Sequence, residues 1–424
     1  MGAAGLDAVS GGRSRWGSGL SLRSIGPLTL VILLASCGEK DGTESGWGDE
    51  EGAVGRMVLE WSIGEDGSSG GSGFWRIRRL VVQADESLWV LDGEGQSTKL
   101  RRFGPDGRLL HTAGGVGDGP GEFRDPVGLA PLPDGRMALR DRAAPHRITI
   151  YRPDGELDTI WSLADRDQRG GGSVLVDTGG VLWLDFTASR RPGPPPRPEP
   201  TLMRVKGDGA IVDSLSYPPL PEVESESLRV VRTSSSGGVS VRGVVVPYQP
   251  AGGRAWSPLG TFALFRTDEY RIELLPPPGP IVEGRDPWAS EPLWVATRDV
   301  PPAPVPQAER SAERQRMREQ LAALEGGRGM RVPDVPTHKP ILRSVQFSAD
   351  GWMWVSVSQP TVRKGGQWVE PVVYDVFRPD GSFHGRVAQP EGFRAVWMQG
   401  EHVWGTALND YEVETVRRYR VGWR

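Results

Sequence analysis

Short runs of alternating apolar and polar residues, each closed by a turn signal, recur along most of the chain, and the same pairing of turn and strand keeps returning. Its clearest copies are Asp85-Glu-Ser-Leu-Trp-Val-Leu-Asp92, Asp134-Gly-Arg-Met-Ala-Leu-Arg-Asp141, Thr178-Gly-Gly-Val-Leu-Trp-Leu-Asp185 and Asp350-Gly-Trp-Met-Trp-Val-Ser356. Gly400-Glu-His-Val-Trp-Gly405 is fainter. Alternation over four to eight residues is the period of a half-buried strand. After each copy comes a second strand ending in another turn, as in Lys99–Gly107, Arg147–Gly155, Thr201–Gly209 and Tyr374–Gly381. In its Pro-Asp-Gly form the turn has a mechanical logic: Pro presets one dihedral, Asp caps the turn with its side chain, and Gly takes the positive φ that reverses the strand.

A third strand follows each turn (Leu109–His111, Leu157–Trp161, Ile211–Leu215, Phe383–Val387), and one precedes the first turn (Arg78–Val82, Ile341–Phe347). Four antiparallel strands in about 40 residues make the blade of a β-propeller. The units fall at Phe74–Ala113, Asp125–Leu163, Gly172–Tyr217, Leu228–Leu275, Lys339–Ala388 and Phe393–Val421. The predicted fold is therefore all-β, a six-bladed β-propeller of four-stranded antiparallel blades. The fourth blade is assembled from Val239–Val246, Phe262–Arg266 and Tyr270–Leu274. The sixth runs out of chain after its third strand, while Met57–Ile63 is an isolated strand ahead of the first blade. That arrangement predicts closure of the ring by the N-terminal strand, which leaves neither edge unpaired.

Three segments interrupt the repeat, of which Ser68–Gly73 reads as a flexible Ser/Gly loop. Arg191–Pro200 is proline-rich and predicted as an extended loop inside the third blade. Pro276–Pro340 is a long insertion with the one clear helix, Gln307–Glu325, on which Met317, Leu321 and Leu324 share a face. That face serves either to dock the helix on the propeller or to cover the channel mouth and meet a partner.

Composition agrees with many short strands: 58 Gly, 37 Pro and 16 Trp among 424 residues. The net charge of −4 removes the electrostatic reason to expect nucleic acid, which requires a basic stripe. The single cysteine rules out a disulfide within the chain. It sits where a targeting signal would place it. Ile25–Ser36 is apolar, follows Arg13, Arg15 and Arg23, and is too short to span a bilayer. Leu34-Ala35-Ser36-Cys37 resembles the bacterial lipobox, whose cysteine thiol takes the diacylglyceryl group. The resemblance implies a signal peptide over 1–36, a mature chain starting at acylated Cys37, an acidic tether over 37–56, and the propeller over 57–424. Gly38 in place of Asp implies an outer-membrane destination.

Gly119-Pro-Gly-Glu-Phe-Arg-Asp-Pro-Val-Gly-Leu129, followed by Pro133–Asp141 and His146–Tyr151, resembles an NHL-type repeat over about one and a half blades. That implies a six-bladed propeller and leaves function open, because such folds host many activities. Relatives resembling calcium-dependent lactonases hold a channel metal with Glu, Asn and Asp, yet the only asparagine is Asn409, in the final hairpin. The histidines His111, His146, His338, His384 and His402 are dispersed, without the spacing of a zinc site. Gly114–Gly121 fits neither phosphate-binding fingerprint and opens no helix. Asp92, Asp141 and Asp185 recur at one strand end, where a turn or cross-strand partner explains them better than catalysis does. No catalytic residue, metal ligand or cofactor is assigned, and Cys37 is the one modification site. The leading expectation is a lipid-anchored envelope module that binds a protein, peptide or glycan. A metal-dependent lactonase or lyase is the alternative, and an envelope structural protein without a discrete ligand a third.

Overall fold

A computed structural model describes residues 52–64, 73–143, 146–163, 168–188, 200–233, 239–282 and 284–424. All belong to one compact unit, Glu51–Arg424. Cys37, the segment expected as its signal and the proline-rich 191–199 lie outside them.

Six four-stranded antiparallel blades form the fold. Blade 1 runs Ile77–Val82, Leu88–Asp92, Lys99–Phe103, Leu109–Ala113, and blade 2 runs Pro126–Pro131, Met137–Asp141, Arg147–Tyr151, Leu157–Ser162. Blade 3 follows with Gln168–Val176, Leu182–Ala188, Pro200–Val205, Ile211–Ser216. Blade 5 is Leu342–Phe347, Met353–Val357, Val373–Phe377, Phe383–Ala388. Blade 6 takes Phe393–Gln399, His402–Leu408 and Glu414–Trp423 from the C-terminus. Its fourth strand is Ala53–Ile63, antiparallel to Glu414–Trp423 in a register that pairs Met57 with Val421 and Ile63 with Val416. The N-terminal strand thus closes the ring. It starts four residues inside the segment expected as tether, and residues 53–56 also pair in parallel with the outer strand of blade 5.

The turns behave as their chemistry requires. Asp106, Asp154, Asp208 and Asp380 each accept the backbone N–H two residues on, at 2.9–3.1 Å, and Gly107, Gly155, Gly209 and Gly381 have φ between 80° and 101°. Several glycines also serve contact between blades. A Cβ on Gly155 would lie 2.7 Å from the His111 ring, and one on Gly209 2.7 Å from Trp161, each on the preceding blade's outer strand.

The core is divided among the joints of the ring. Trp89, Leu91, Met137 and Tyr151 pack between blades 1 and 2. Ala138, Ile150, Leu182 and Val205 pack between 2 and 3, and Trp183, Leu202 and Phe262 between 3 and 4. Ile272, Leu274, Val355 and Phe377 join 4 to 5, Trp354, Val376, Val403 and Val421 join 5 to 6, and Trp404, Ile63, Leu80 and Val90 join 6 to 1. Four of the six blades place a buried Trp early in their second strand: Trp89, Trp183 and Trp354 at its second position and Trp404 at its third. Phe262 does the same work in blade 4. A side chain of that size fills the wedge between two sheets.

Blade 4 departs from the expected boundaries. Its strands are Gly252–Ser257, Thr261–Arg266, Arg271–Leu274 and Trp294–Thr297. The outermost lies inside the stretch expected as an insertion, so Pro276–Pro340 is not one excursion; residues 275–293 are the long link between the third and fourth strands. Leu228–Thr233 and Val239–Val244, expected as the start of the blade, instead pair only with each other. Their apolar Val230, Val244 and Val246 pack on Met317 and Leu321 of the helix Gln307–Ala323. The helix docks on this hairpin, and hairpin and helix form a satellite with its own core. Tyr248 donates to Glu309 at 2.5 Å, Thr361 also donates to Glu309, and Lys339 donates to the Gln359 carbonyl at 2.9 Å and to Glu370 at 2.7 Å. The first bond ties the helix to the hairpin side of the satellite, and the bonds involving Thr361, Gln359 and Glu370 fasten it to blade 5.

Candidate functional site

In each blade the connection from second to third strand and the passage to the next blade leave from one end, here called the upper face; the remaining turns form the lower face. The satellite, the hairpin Val362–Lys364 with Gln367–Val369, and the glycine-rich 114–121 all belong to the upper face. On the lower face the turns are short except in blade 4, and they bond to their neighbours, Gln83 Nε2 to the Gly135 carbonyl and Thr178 N–H to the Pro258 carbonyl.

The recurring aspartates are structural clips of the upper face. Asp92 accepts the N–H groups of Trp75 and Arg76, both at 2.8 Å, and Asp141 accepts those of Arg124 and Asp125 at 3.0 and 2.9 Å. Asp185 accepts Ser173 N–H and Arg140, each at 2.8 Å. Asp92 and Asp141 thereby fix the loops that enter an inner strand, and Asp185 holds the irregular stretch within the inner strand of blade 3. Arg147 organises the glycine-rich loop, donating to the carbonyls of Gly117, Asp118 and Glu122. Because carbonyls converge on that centre, the loop presents the wrong polarity there for an anion.

The five histidines stay apart. His111 lies over Gly155, 4.0 Å from Glu156, beside a 250 Å³ cavity that also involves Glu122 and Tyr151. His146 meets Phe186 edge-on, and His384 sits between Trp352 and Trp423. Burial and then the charge of Arg378 lower the His384 pKa. His338 bonds Thr337, and His402 lies 3.3 Å from both Glu60 and Glu86, which also bind Arg418. Asn409 caps its own turn through the N–H groups of Tyr411 and Val413. Among the described residues no three His, Cys, Asp or Glu side chains are grouped to hold a metal.

What the repeat pattern did not single out is a cavity of 530 Å³ on the upper face, lined by Arg76, Ile77, Arg78, Arg79, Glu94, Gly95, Arg124 and Asp125. It owes its charge to a β-bulge. Ile77 pairs with Asp92 and Arg79 with Leu91, leaving Arg78 as the extra residue, so the bulge sets two consecutive arginines at the rim. Most arginines in this molecule are matched. Arg140 is buried with three bonds to Asp185 and Ser173, and Arg298 and Arg386 both bind the fully buried Asp375. At the cavity the matching fails. Arg76 pairs with Glu94 at 2.9 Å and Arg124 with Asp118, but Arg78 is 3.9 Å from an Asp125 already bound by Arg142 at 2.9 Å. Among the described residues neither Arg79 nor Arg394, the second residue of the blade 6 inner strand, has a carboxylate within ion-pairing distance. Partial burial, and then the like charges of Arg78 and Arg394, lower the Arg79 pKa. The sequence signal was the Arg-Ile-Arg-Arg run at 76–79. Period-two reading assigns alternate residues to opposite faces and so hides a bulge.

No protein-family model matches the chain, and no curated protein does. Similar solved structures include the β-propeller domain of Myceliophteria thermophila Cps50 (Swd1), 8% identical over 86% of this chain and 100% of that one, TM-score 0.40. A Xanthomonas campestris gluconolactonase is 14% identical over 85% and 98%, TM-score 0.37. A PQQ-bound aldose sugar dehydrogenase from Streptomyces coelicolor is 14% identical over 87% and 98%, TM-score 0.39. None of these reaches a TM-score of 0.5, and the propeller stands on the strand pairing described above.

Proposed function

We propose that the protein is a binding module of the cell envelope, exported, anchored through acylated Cys37 at the outer membrane, and presenting its upper face to a protein, peptide or glycan. The observation that carries this is the asymmetry of the ring. The satellite, the hairpin at 362–369 and the arginine-lined cavity share one face, whereas the opposite face is largely tied into tight turns. Loops held by a rigid scaffold are where recognition is built. The likeness of 119–151 to an NHL repeat supports the same reading, since that region shapes the rim beside the cavity. No helix among the described residues is long and apolar enough to cross a membrane, which accords with attachment by lipid.

The test has two parts. Radiolabelled palmitate should enter the wild-type chain and not Cys37→Ala; label in both would overturn the anchor. Cross-linking in intact envelopes, with photoreactive residues placed at Lys364 and Glu313 on the upper face and at Asp106 and Asp154 on the lower, should yield adducts from the upper positions. Adducts confined to the lower positions would overturn the choice of face.

A further inference from the structure

We infer that the cavity between Arg76–Arg79 and Arg124–Asp125 is a binding site for an acidic glycan, whose carboxylate or phosphate substituents are held by Arg78 and Arg79. This rests on the binding-module reading and gives it a ligand class. Three observations carry it. Among the described residues Arg79 has no partner carboxylate and spends one Nη1–H on the Arg78 carbonyl at 2.9 Å, and Arg78 has only the distant share of Asp125, so an incoming oxyanion finds guanidinium donors that no carboxylate holds. Charge-assisted bonds from a planar fork are the strongest that a wet site offers, and an anion also relieves the repulsion among the cations. The lining is otherwise polar: Ile77 is the one apolar side chain, and Glu94 and Asp125 supply acceptors. A lipid tail or an apolar peptide side chain finds no subsite there, and a bare inorganic anion gains nothing from two carboxylates. A molecule bearing both hydroxyl donors and an oxyanion uses all of them. Finally, Trp75 is 76% exposed and directly precedes Arg76, with its backbone N–H fixed by Asp92. An exposed indole beside polar groups offers a flat apolar face to a sugar ring. The volume of 530 Å³ lies within the ~300–1,000 Å³ usual for small-ligand sites.

The experiment titrates the purified protein with a short uronic acid oligosaccharide, a neutral hexose oligosaccharide of equal length, and inorganic phosphate, by calorimetry at low and high salt. The acidic oligosaccharide should bind, with affinity falling as salt rises. Arg79→Ala and Arg78→Ala should each weaken it by roughly tenfold or more, the loss of one charge-assisted bond. Arg79→Lys should recover part of that, Trp75→Ala should weaken acidic oligosaccharide more than phosphate, and Arg271→Ala, an exposed arginine paired with Glu273 on blade 4, should change nothing. Unaltered circular dichroism of the alanine variants keeps loss of binding distinct from loss of fold. Equal binding of neutral and acidic sugars, or acidic binding indifferent to both alanine variants, overturns the inference. Phosphate competing at the same concentration as the oligosaccharide overturns the sugar assignment. If no acidic sugar binds while upper-face cross-links persist, this inference falls and the binding-module reading stands.

Discussion

The ring and its satellite solve the same packing problem in opposite ways. Every apolar cluster of the ring is shared by two blades, and closure by Ala53–Ile63 turns six such clusters into a cycle. No blade can leave without opening two joints. The satellite keeps a core of its own, Val230, Val244, Val246, Met317, Leu321 and Val335, and meets blade 5 through polar links around Glu309 and Lys339. Sharing makes the ring cooperative, while a private core and a polar hinge leave the satellite free to open locally.

The largest effect should come from deleting Met57–Ile63, which removes the closing strand and exposes the edge of Glu414–Trp423; denaturation should show loss of the whole domain, and full retention of stability would break the comparison. Phe262→Ala should cost about 3–5 kcal/mol through the cavity left between blades 3 and 4, and the unfolding should remain a single transition by fluorescence and circular dichroism. Met317→Ala should cost about 2–5 kcal/mol, but within the satellite alone. Hydrogen exchange should then quicken in 228–233, 239–244 and 307–323 while the strands of blades 1 and 2 keep their protection.

A smaller loss, about 1–3 kcal/mol, is expected for Gly155→Ala, which combines a φ of 101° with a clash on His111. Pairing it with His111→Ala should recover the ring's share of the contact and leave the Cβ contact at 2.9 Å and the backbone part, a coupling readable in a double-mutant cycle. The smallest effect at neutral pH belongs to the buried tyrosines at the joints. Burial pushes the Tyr217 pKa up to about 12 and raises those of Tyr151 and Tyr270, the last also beside Asp375. A raised folded-state pKa means that the native state holds the proton longer. The stability contributed is therefore complete below the unfolded value near 10 and is lost as pH climbs through the folded one. Melting temperatures should be flat to about pH 10 and fall above it, and Tyr217→Phe should flatten part of that fall.

Blades 2 and 4 show how much of this was legible. Blade 2 carries Pro133-Asp-Gly135 and Pro153-Asp-Gly155, turns whose geometry is local, and its strands lie between them. In blade 4 the first turn is Ser257-Pro-Leu-Gly260 and the outer strand arrives after residues 275–293, so no repeat spacing marks it. The Val-rich 239–246 then mimics a missing inner strand. Its apolar face satisfies a helix 60 residues away instead, a pairing that alternation alone does not assign. The aspartate clips were legible as repeat features.

By itself the sequence determined what short-range chemistry can determine: the turns, the strands they bound, the blade count and the closing strand's identity as an unpaired run. Tertiary structure decided which strands share a sheet in blade 4, what the helix face covers, and which arginines go unmatched. The physical reason is range. A turn is fixed by neighbouring dihedrals and one Asp side chain, whereas the charge of the cavity depends on a bulge at Arg78 and on Arg124 and Asp125, set against it by the passage into the next blade.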